Sequence, residues 1–363
     1  MVMKHDQWIV VMSEDDRFQI MKALKHFKGS LRRLVEEMEL EPGALNTETF
    51  PLPADLSVRL RNISNDCYKG RGFAILRGLP GDSSTKEDKI LLCGGVSSHV
   101  APERGFQDKA RTTVTCHVIS EDSRPGAREH NLKPAFTNGR LAFHTDLGDI
   151  LALYSIAIAD SGGETVIASS SQIYNELART RPDLLEELKK PWVFYQSQDY
   201  DTDGTPLIIN AVDDNLVFQF SRLPITGFRS NIRNQSIPLP SAGRLEAMNV
   251  IEDLAWKNGL PLPCQPGDVA FINNLCMLHA RTAFDFDEDG NALLSNRHLV
   301  KLMLRDPELA WGMPQSLKWL PERIYGPNQI DGTRTEEWQL NVEIGDCLPD
   351  GHVWAGTGNY ANG

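Results

Sequence analysis

The sequence predicts a mainly β protein, an antiparallel barrel with helical cover. Three observations carry that reading. Apolar runs of strand length, bounded by Gly, Pro or Asp, recur between residues 72 and 306. Helical periodicity is gathered at the start of the chain and in two insertions, and does not alternate with the strands. No G-x-G-x-x-G turn follows a strand, which removes the dinucleotide-binding alternative.

Residues 1–70 read as a helical extension. In DDRFQIMKALKHF, Phe18, Met21, Leu24 and Phe27 fall along one helical face. PADLSVRLRNISNDCYKG repeats the pattern more weakly and ends at a capping glycine, Gly70. GFAILRGLP (72–80) is a short apolar strand. Residues 100–140 are polar and turn-rich, and SEDSRPGAREHNLKP (120–134) reads as a mobile loop. DILALYSIAIA and GGETVIASS are strands separated by a Gly-Gly turn. SSQIYNELARTRPDLLEELKKP is helix broken at Pro182, and PLIINAVDDNLVFQFSR is a hairpin turning at Asp213, Asp214 and Asn215. SAGRLEAMNVIEDLAWKNG is a helix with a serine N-cap and a stop at Gly259. GDVAFINNLCMLHAR and NRHLVKLMLRD close the core as two more strands. The expected organisation is one functional domain over 71–320, with helical insertions at about 170–190 and 241–258, and a C-terminal segment over 321–363.

The 363 residues carry 49 acidic and 37 basic side chains, a net charge of -12. No basic stripe exists to neutralise phosphates, so neither nucleic acid nor an anionic membrane is expected as partner. No apolar run reaches the ~18 residues of a membrane span, and the N-terminus has no signal-peptide pattern. The six cysteines include no C-x-x-C pair and sit mostly in apolar contexts, as expected of reduced thiols in a cytoplasmic protein. A homo-oligomer is left open.

The chemistry starts at RLAFHTDLGDILALY. Residues two apart on an extended chain share a face, so His144 and Asp146 can address one point, with Thr145 directed away. A second histidine from a distant strand would complete a 2-His-1-carboxylate set, the pattern of non-haem Fe(II) oxygenases. The other histidines are 5, 26, 99, 117, 130, 279, 298 and 352. His279 ends an apolar strand with a polar exit, where it is either a ligand or a satisfied core histidine. Downstream, Arg297, Lys301 and Arg305 share one face of NRHLVKLMLRD. Cations on a strand inside a barrel are costly unless an anion meets them. A dicarboxylate would do so, arginine gripping it with its planar fork. The alternative is an edge strand whose basic face is solvated. Thr165 of GGET offers a hydroxyl to the same carboxylate.

H-T-D, then G-G-E-T, then a distal histidine, then R-x-x-x-K, in this order, resembles the taurine dioxygenase-like family of Fe(II)- and 2-oxoglutarate-dependent oxygenases. The resemblance runs from residue 72 to 311, and LHARTAF with RHLVKLMLRDPELAW is similar to the fungal branch, whose members often serve secondary metabolism. It implies a double-stranded β-helix (jelly-roll, cupin-like) core. It also implies iron on His144, Asp146 and His279, with Thr165 and Arg297 on the distal carboxylate of 2-oxoglutarate. Arg305 on the same strand is the alternative to Arg297. Lys301 stands where taurine dioxygenase directs an arginine to the sulfonate; it keeps the charge without the fork, so a sulfonate is not inferred. Lys301, Asn138 and Arg305 are the substrate-side candidates, Asn138 having a turn-holding role as its alternative. The implied reaction consumes dioxygen and 2-oxoglutarate, releases succinate and carbon dioxide, and oxidises a C–H bond of a small carboxylate- or amine-bearing molecule. Its outcome is hydroxylation, desaturation or cyclisation. Replacing His144 or Asp146 by alanine is expected to abolish turnover and spare the fold.

Two rivals belong to other classes. A cupin-like metal binder or isomerase would keep the triad without needing Thr165 and Arg297. A zinc hydrolase would need a general base, for which Glu164 is the nearby candidate.

Overall fold

Most of the strand-length apolar runs pair into two sheets of a computed structural model that describes residues 8–34, 42–81, 84–108, 110–120, 134–192, 205–210, 215–228, 239–287, 289, 293, 295–327 and 332–340. Their strands are β1 (Ile9–Val11), β2 (Phe73–Arg77), β3 (Glu103–Gly105), β4 (Cys116–Ile119), β5 (Leu141–His144), β6 (Ile150–Ala157), β7 (Thr165–Ser169), β8 (Leu260–Pro261), β9 (Val269–Asn273), β10 (Met277–Arg281) and β11 (His298–Arg305). The larger sheet has the order β1-β2-β9-β6-β11-β3, with β4 also paired to β11, and the smaller the order β8-β7-β10-β5. Pairing is antiparallel apart from β1 beside β2.

Alternation along the strands fixes what each face meets. On β11, Val300, Leu302 and Leu304 pack with the N-terminal helices α1 (Glu14–Leu34), α2 (Ala54–Lys69) and α3 (Lys86–Val100). Met303 turns the other way, into a core shared by Leu151 and Leu153 of β6, Ile167 of β7 and Met277 of β10. Outside the smaller sheet, α4 (Ser170–Thr180), α5 (Pro182–Lys189) and α6 (Ala242–Asn258) cover Phe143, Val166, Ala168, Leu278 and Ala280. The architecture is helices, sheet, sheet, helices: a jelly roll with the site between its sheets.

Several helix signals in the sequence operate as read. Pro182 opens α5 after the break, and the Ser241 hydroxyl accepts from the Arg244 amide at the start of α6. Other expectations are corrected. On α1 the buried stripe is Ile20, Ala23, Leu24 and Phe27, while Phe18 is 64% exposed. Positions i, i+3, i+4 and i+7 make the continuous face, and Phe18 lies off it. Helix α3 and strand β1 were not anticipated, and β3 and β4 fall in the stretch expected to be polar and turn-rich. GDVAFINNLCMLHAR is two strands in different sheets, not one. Its corner is held by side-chain amides: Asn273 Nδ2 donates to Cys67 O (3.0 Å) and its Oδ1 accepts from the Leu275 amide (3.0 Å). Ile208–Asn210 and Leu216–Phe218 pair antiparallel as the expected hairpin, but its turn residues Asp213 and Asp214 lie outside the described residues. The expected mobile loop falls there too from 121 to 133. No helix among the described residues is long and apolar enough to cross a membrane.

Candidate metal centre

Strand β10 carries the site's registration. His279 pairs with His144 of β5 and with Ile167 of β7, and Arg281 pairs with Thr165. The inward positions of β10 are thus Met277, His279 and Arg281, two residues apart. The imidazoles of His144 and His279 have centroids 4.1 Å apart. Asp146 follows β5, its amide donating to Asn274 Oδ1 (2.7 Å) while Asn274 Nδ2 donates to Asp146 O and Gly148 O (both 2.8 Å). One ligand atom each from His144, Asp146 and His279 lies within 4.8 Å of the others, the one such cluster among the described residues. All three side chains are buried.

The protonation states suit a cation. His144 Nδ1 lies 2.9 Å from Ala142 O, so it is the N–H donor and Nε2 keeps its lone pair. Burial pushes both imidazoles below their ordinary range, His279 well below it, so both are neutral. Burial alone would raise the Asp146 carboxyl, but the Lys301 ammonium hydrogen-bonded to it outweighs burial and holds it below the usual carboxylate range. Asp146 Oδ1 is buried without a hydrogen-bond partner. A buried carboxylate beside two neutral imidazoles, one of its oxygens unsatisfied and the other 3.9 Å from His279 Nε2, fits a divalent cation.

A cavity opens beside the triad. Thr165, Arg281, Arg297 and Lys301 supply its polar wall, and Leu153, Phe136 and Leu299 are among its apolar residues. Arg297 Nε donates to Gly163 O (3.1 Å) and its guanidinium lies 5.3 Å from the Phe284 ring centroid. Burial draws this guanidinium down to about 10, still charged at neutral pH. The Gly-Gly turn that presents Gly163 depends on glycine, because Gly162 has φ +72° and a β-carbon there would sit 2.1 Å from Ala283 O.

The other expected residues stand elsewhere. Asn138 Nδ2 donates to the carbonyls of Phe284 (3.2 Å), Asp285 (3.4 Å) and Leu293 (3.1 Å), and its Oδ1 accepts from Ser120. It holds two loops together and is not among the cavity's lining residues. Arg305 pairs with Asp149 and Glu103, each at 3.5 Å, beyond the cavity. Among the other histidines, His99 meets Ser57 and Phe50 O, and His117 pairs with His298. His26 is exposed on α1, and His5, His130 and His352 lie outside the described residues. Arg281 was missed, although the two-residue period that picked out Asp146 would have found it beside His279. It donates to the carbonyls of Ala135 (3.0 Å), Thr137 (2.5 Å) and Gly139 (2.6 Å), fixing the cavity wall that holds Ala135 and Phe136.

Comparison with known proteins agrees with this geometry. The family model for taurine catabolism dioxygenase TauD, TfdA family, matches residues 35–303. A taurine hydroxylase-like protein, SAT17 of Stachybotrys chartarum, is 33% identical over 318 residues, covering 86% of this chain and 79% of its own. FR-33289 synthase of Streptomyces rubellomurinus is 26% identical over 311 residues, covering 82% of this chain and 85% of its own. Among solved structures, asparagine oxygenase in complex with Fe(II), 3-hydroxyasparagine and succinate superposes with TM-score 0.60 at 15% identity, covering 88% of this chain and 98% of that one. The non-haem iron oxygenase OrfP with iron and α-ketoglutaric acid gives 0.56 at 13% identity, covering 82% and 94%.

Proposed function

The chain belongs to the taurine catabolism dioxygenase TauD, TfdA family, and from that premise we propose that it is an Fe(II)/2-oxoglutarate-dependent oxygenase using the cavity beside His144, Asp146 and His279. The observation that carries the reading is the meeting, in one cavity, of that buried triad with Thr165 and Arg297. A cupin-like metal binder has no use for the last two.

His144 Nε2, Asp146 and His279 would hold the iron, two neutral nitrogens and one anionic oxygen leaving positions open for other ligands. Dioxygen, at the bound iron, would supply the oxidising power, taking two electrons from 2-oxoglutarate, which leaves as succinate and carbon dioxide, and two from one substrate C–H bond. The chain's own work is positioning. Arg297 offers a desolvated guanidinium, strong because the site is dry, to the distal carboxylate, with the Thr165 hydroxyl beside it. The buried wall of Leu153, Leu299 and Phe136 excludes water from the oxidation.

The substrate proposed is a small carboxylate- or amine-bearing molecule, amino-acid-derived or a secondary metabolite. Support comes from the amino acids named with the structural neighbours and from the bacterial synthase among the relatives. Hydroxylation is the proposed outcome, with desaturation or cyclisation following if the substrate is held slightly off the rebound position. The proposed setting is the cytoplasm. To test the reading, Fe(II) and then 2-oxoglutarate are added without oxygen and the visible spectrum is recorded. A weak charge-transfer band is expected in the wild type, and its loss or weakening in Arg297→Ala. No band in either protein would overturn the reading.

A further inference from the structure

On the family pattern Lys301 is a substrate-side cation, but in the structure its ammonium is engaged with the metal site. Nζ donates to Asp146 Oδ2 at 2.7 Å, with both side chains buried. Its backbone lies between the Cys116 position of β4 and the Leu153 position of β6, both cavity residues, so the stem is walled on two sides. Asp146 is meanwhile held at its amide and carbonyl by Asn274. The one polar atom of the residue left without a partner is Oδ1.

We infer that Lys301 is a positioning residue for the metal: it grips Asp146 Oδ2, the oxygen that lies 3.9 Å from His279 Nε2, and so sets the plane in which the carboxylate meets iron. The inference rests on the iron reading above. Its physical basis is the softness of the terminal carboxylate torsion, which has broad, two-fold preferences and is not fixed by the backbone. Anchoring Asp146 N and O places the side chain; only a donor on Oδ2 sets the plane of the carboxylate. The choice of lysine follows. An arginine fork takes a carboxylate through both oxygens and would compete with the metal for each, whereas a point-like ammonium occupies one. Lys301 also sits at the mouth of the charge balance: without it, the carboxylate would be the lone anion of a dry pocket whenever iron is absent.

The test is anaerobic Fe(II) titration of the full chain, with Lys301→Met and Lys301→Arg beside the wild type and His144→Ala. Both lysine variants are expected to weaken iron binding about 10-fold or more, the usual effect of removing a hydrogen-bond partner from a metal ligand. Far-UV circular dichroism of each variant separates this from misfolding. A purely substrate-facing lysine predicts wild-type iron affinity in both, and that result would overturn the inference while leaving the iron reading in place. X-ray absorption on iron-loaded wild type is an independent reading: Asp146 bound through a single oxygen is expected, and a two-oxygen chelate would overturn the proposal even if neither variant folds. If wild type and His144→Ala alike fail to bind iron, the iron reading and this inference fall together.

Discussion

Asp146 and His144 are both proposed ligands of the metal, yet their removal should be felt differently. His144 is tied to the chain by one hydrogen bond to Ala142 O, so His144→Ala removes a ligand and little else. Asp146 also neutralises Lys301, whose ammonium is buried. Asp146→Ala would strand that charge, and breaking one side of a buried pair costs about 3–5 kcal/mol. The expectation that both substitutions spare the fold therefore needs correcting for Asp146. Succinate release should vanish in both variants, while a thermal melt should show His144→Ala near wild type and Asp146→Ala substantially lower. Equal melting of the two would mean that the Lys301 pair contributes little to stability.

At the scale of elements, the site was legible where chemistry depends on local spacing, and illegible where it depends on what covers a segment. His144-x-Asp146 needs only the two-residue period of an extended chain, and His279 needed only a strand end. Helix α3 gave no such signal. Every residue from Ile90 to Val100 is buried, Ser97, Ser98 and His99 among them, so no face stands out from another. Its small residues are a packing device that only the fold reveals: a β-carbon at Gly95 would sit 2.5 Å from the Phe50 ring. The break between β9 and β10 was hidden for a related reason. From Val269 to Leu278 the run is apolar apart from Asn273 and Asn274, and asparagine's role at a corner depends on partners distant in sequence, Cys67 and Asp146. Asn138 is a similar case, its amide reaching residues 146 to 155 positions downstream. The Gly-Gly turn, by contrast, was readable, and its consequence is testable. Gly162→Ala would force a β-carbon into Ala283 O at positive φ, a strain of roughly 1–3 kcal/mol. Because Gly163 O is the acceptor for Arg297, the turn should shift that guanidinium as it relaxes. The expected result is a lower melting temperature together with a raised KM for 2-oxoglutarate; a stability loss with unchanged KM would uncouple the turn from the arginine.

At the scale of the whole molecule, residues 336–339 strap one side of the layers. The Glu337 amide donates to Thr112 O (2.7 Å), the Val114 amide to Glu337 O (3.1 Å), the Gln339 amide to Thr115 Oγ1 (3.0 Å), and Arg104 grips Glu336 (2.8 Å). The strap ends on a histidine pair. His117 Nε2 faces Gln339 O at 2.7 Å and must carry a proton, so its bare Nδ1 accepts from His298 Nε2 at 2.8 Å. Two neutral rings satisfy that chain of bonds. Burial depresses them, His117 to about 4 and His298 to about 3, with Lys86 disfavouring the charged form of both and Lys89 that of His298. A histidine depressed in the folded state stabilises the protein above the unfolded value of 6.5, and that stability is lost as pH falls below it. At pH 5 the loss is about 2 kcal/mol for each imidazole. Asp149 works in the opposite direction: burial raises it to about 6, so its destabilising ionisation is relieved as pH falls through that value. The two effects overlap, and a single wild-type profile would not separate them. The difference between wild type and His117→Gln does, since Asp149 is common to both. Chemical denaturation at pH 8 should find the variant less stable, and the gap should narrow by about 2 kcal/mol toward pH 5, where the wild type alone loses the His117 contribution. A gap that holds constant from pH 8 to pH 5 would mean that His117 does not take up a proton on unfolding, and that the strap is anchored by its backbone bonds alone.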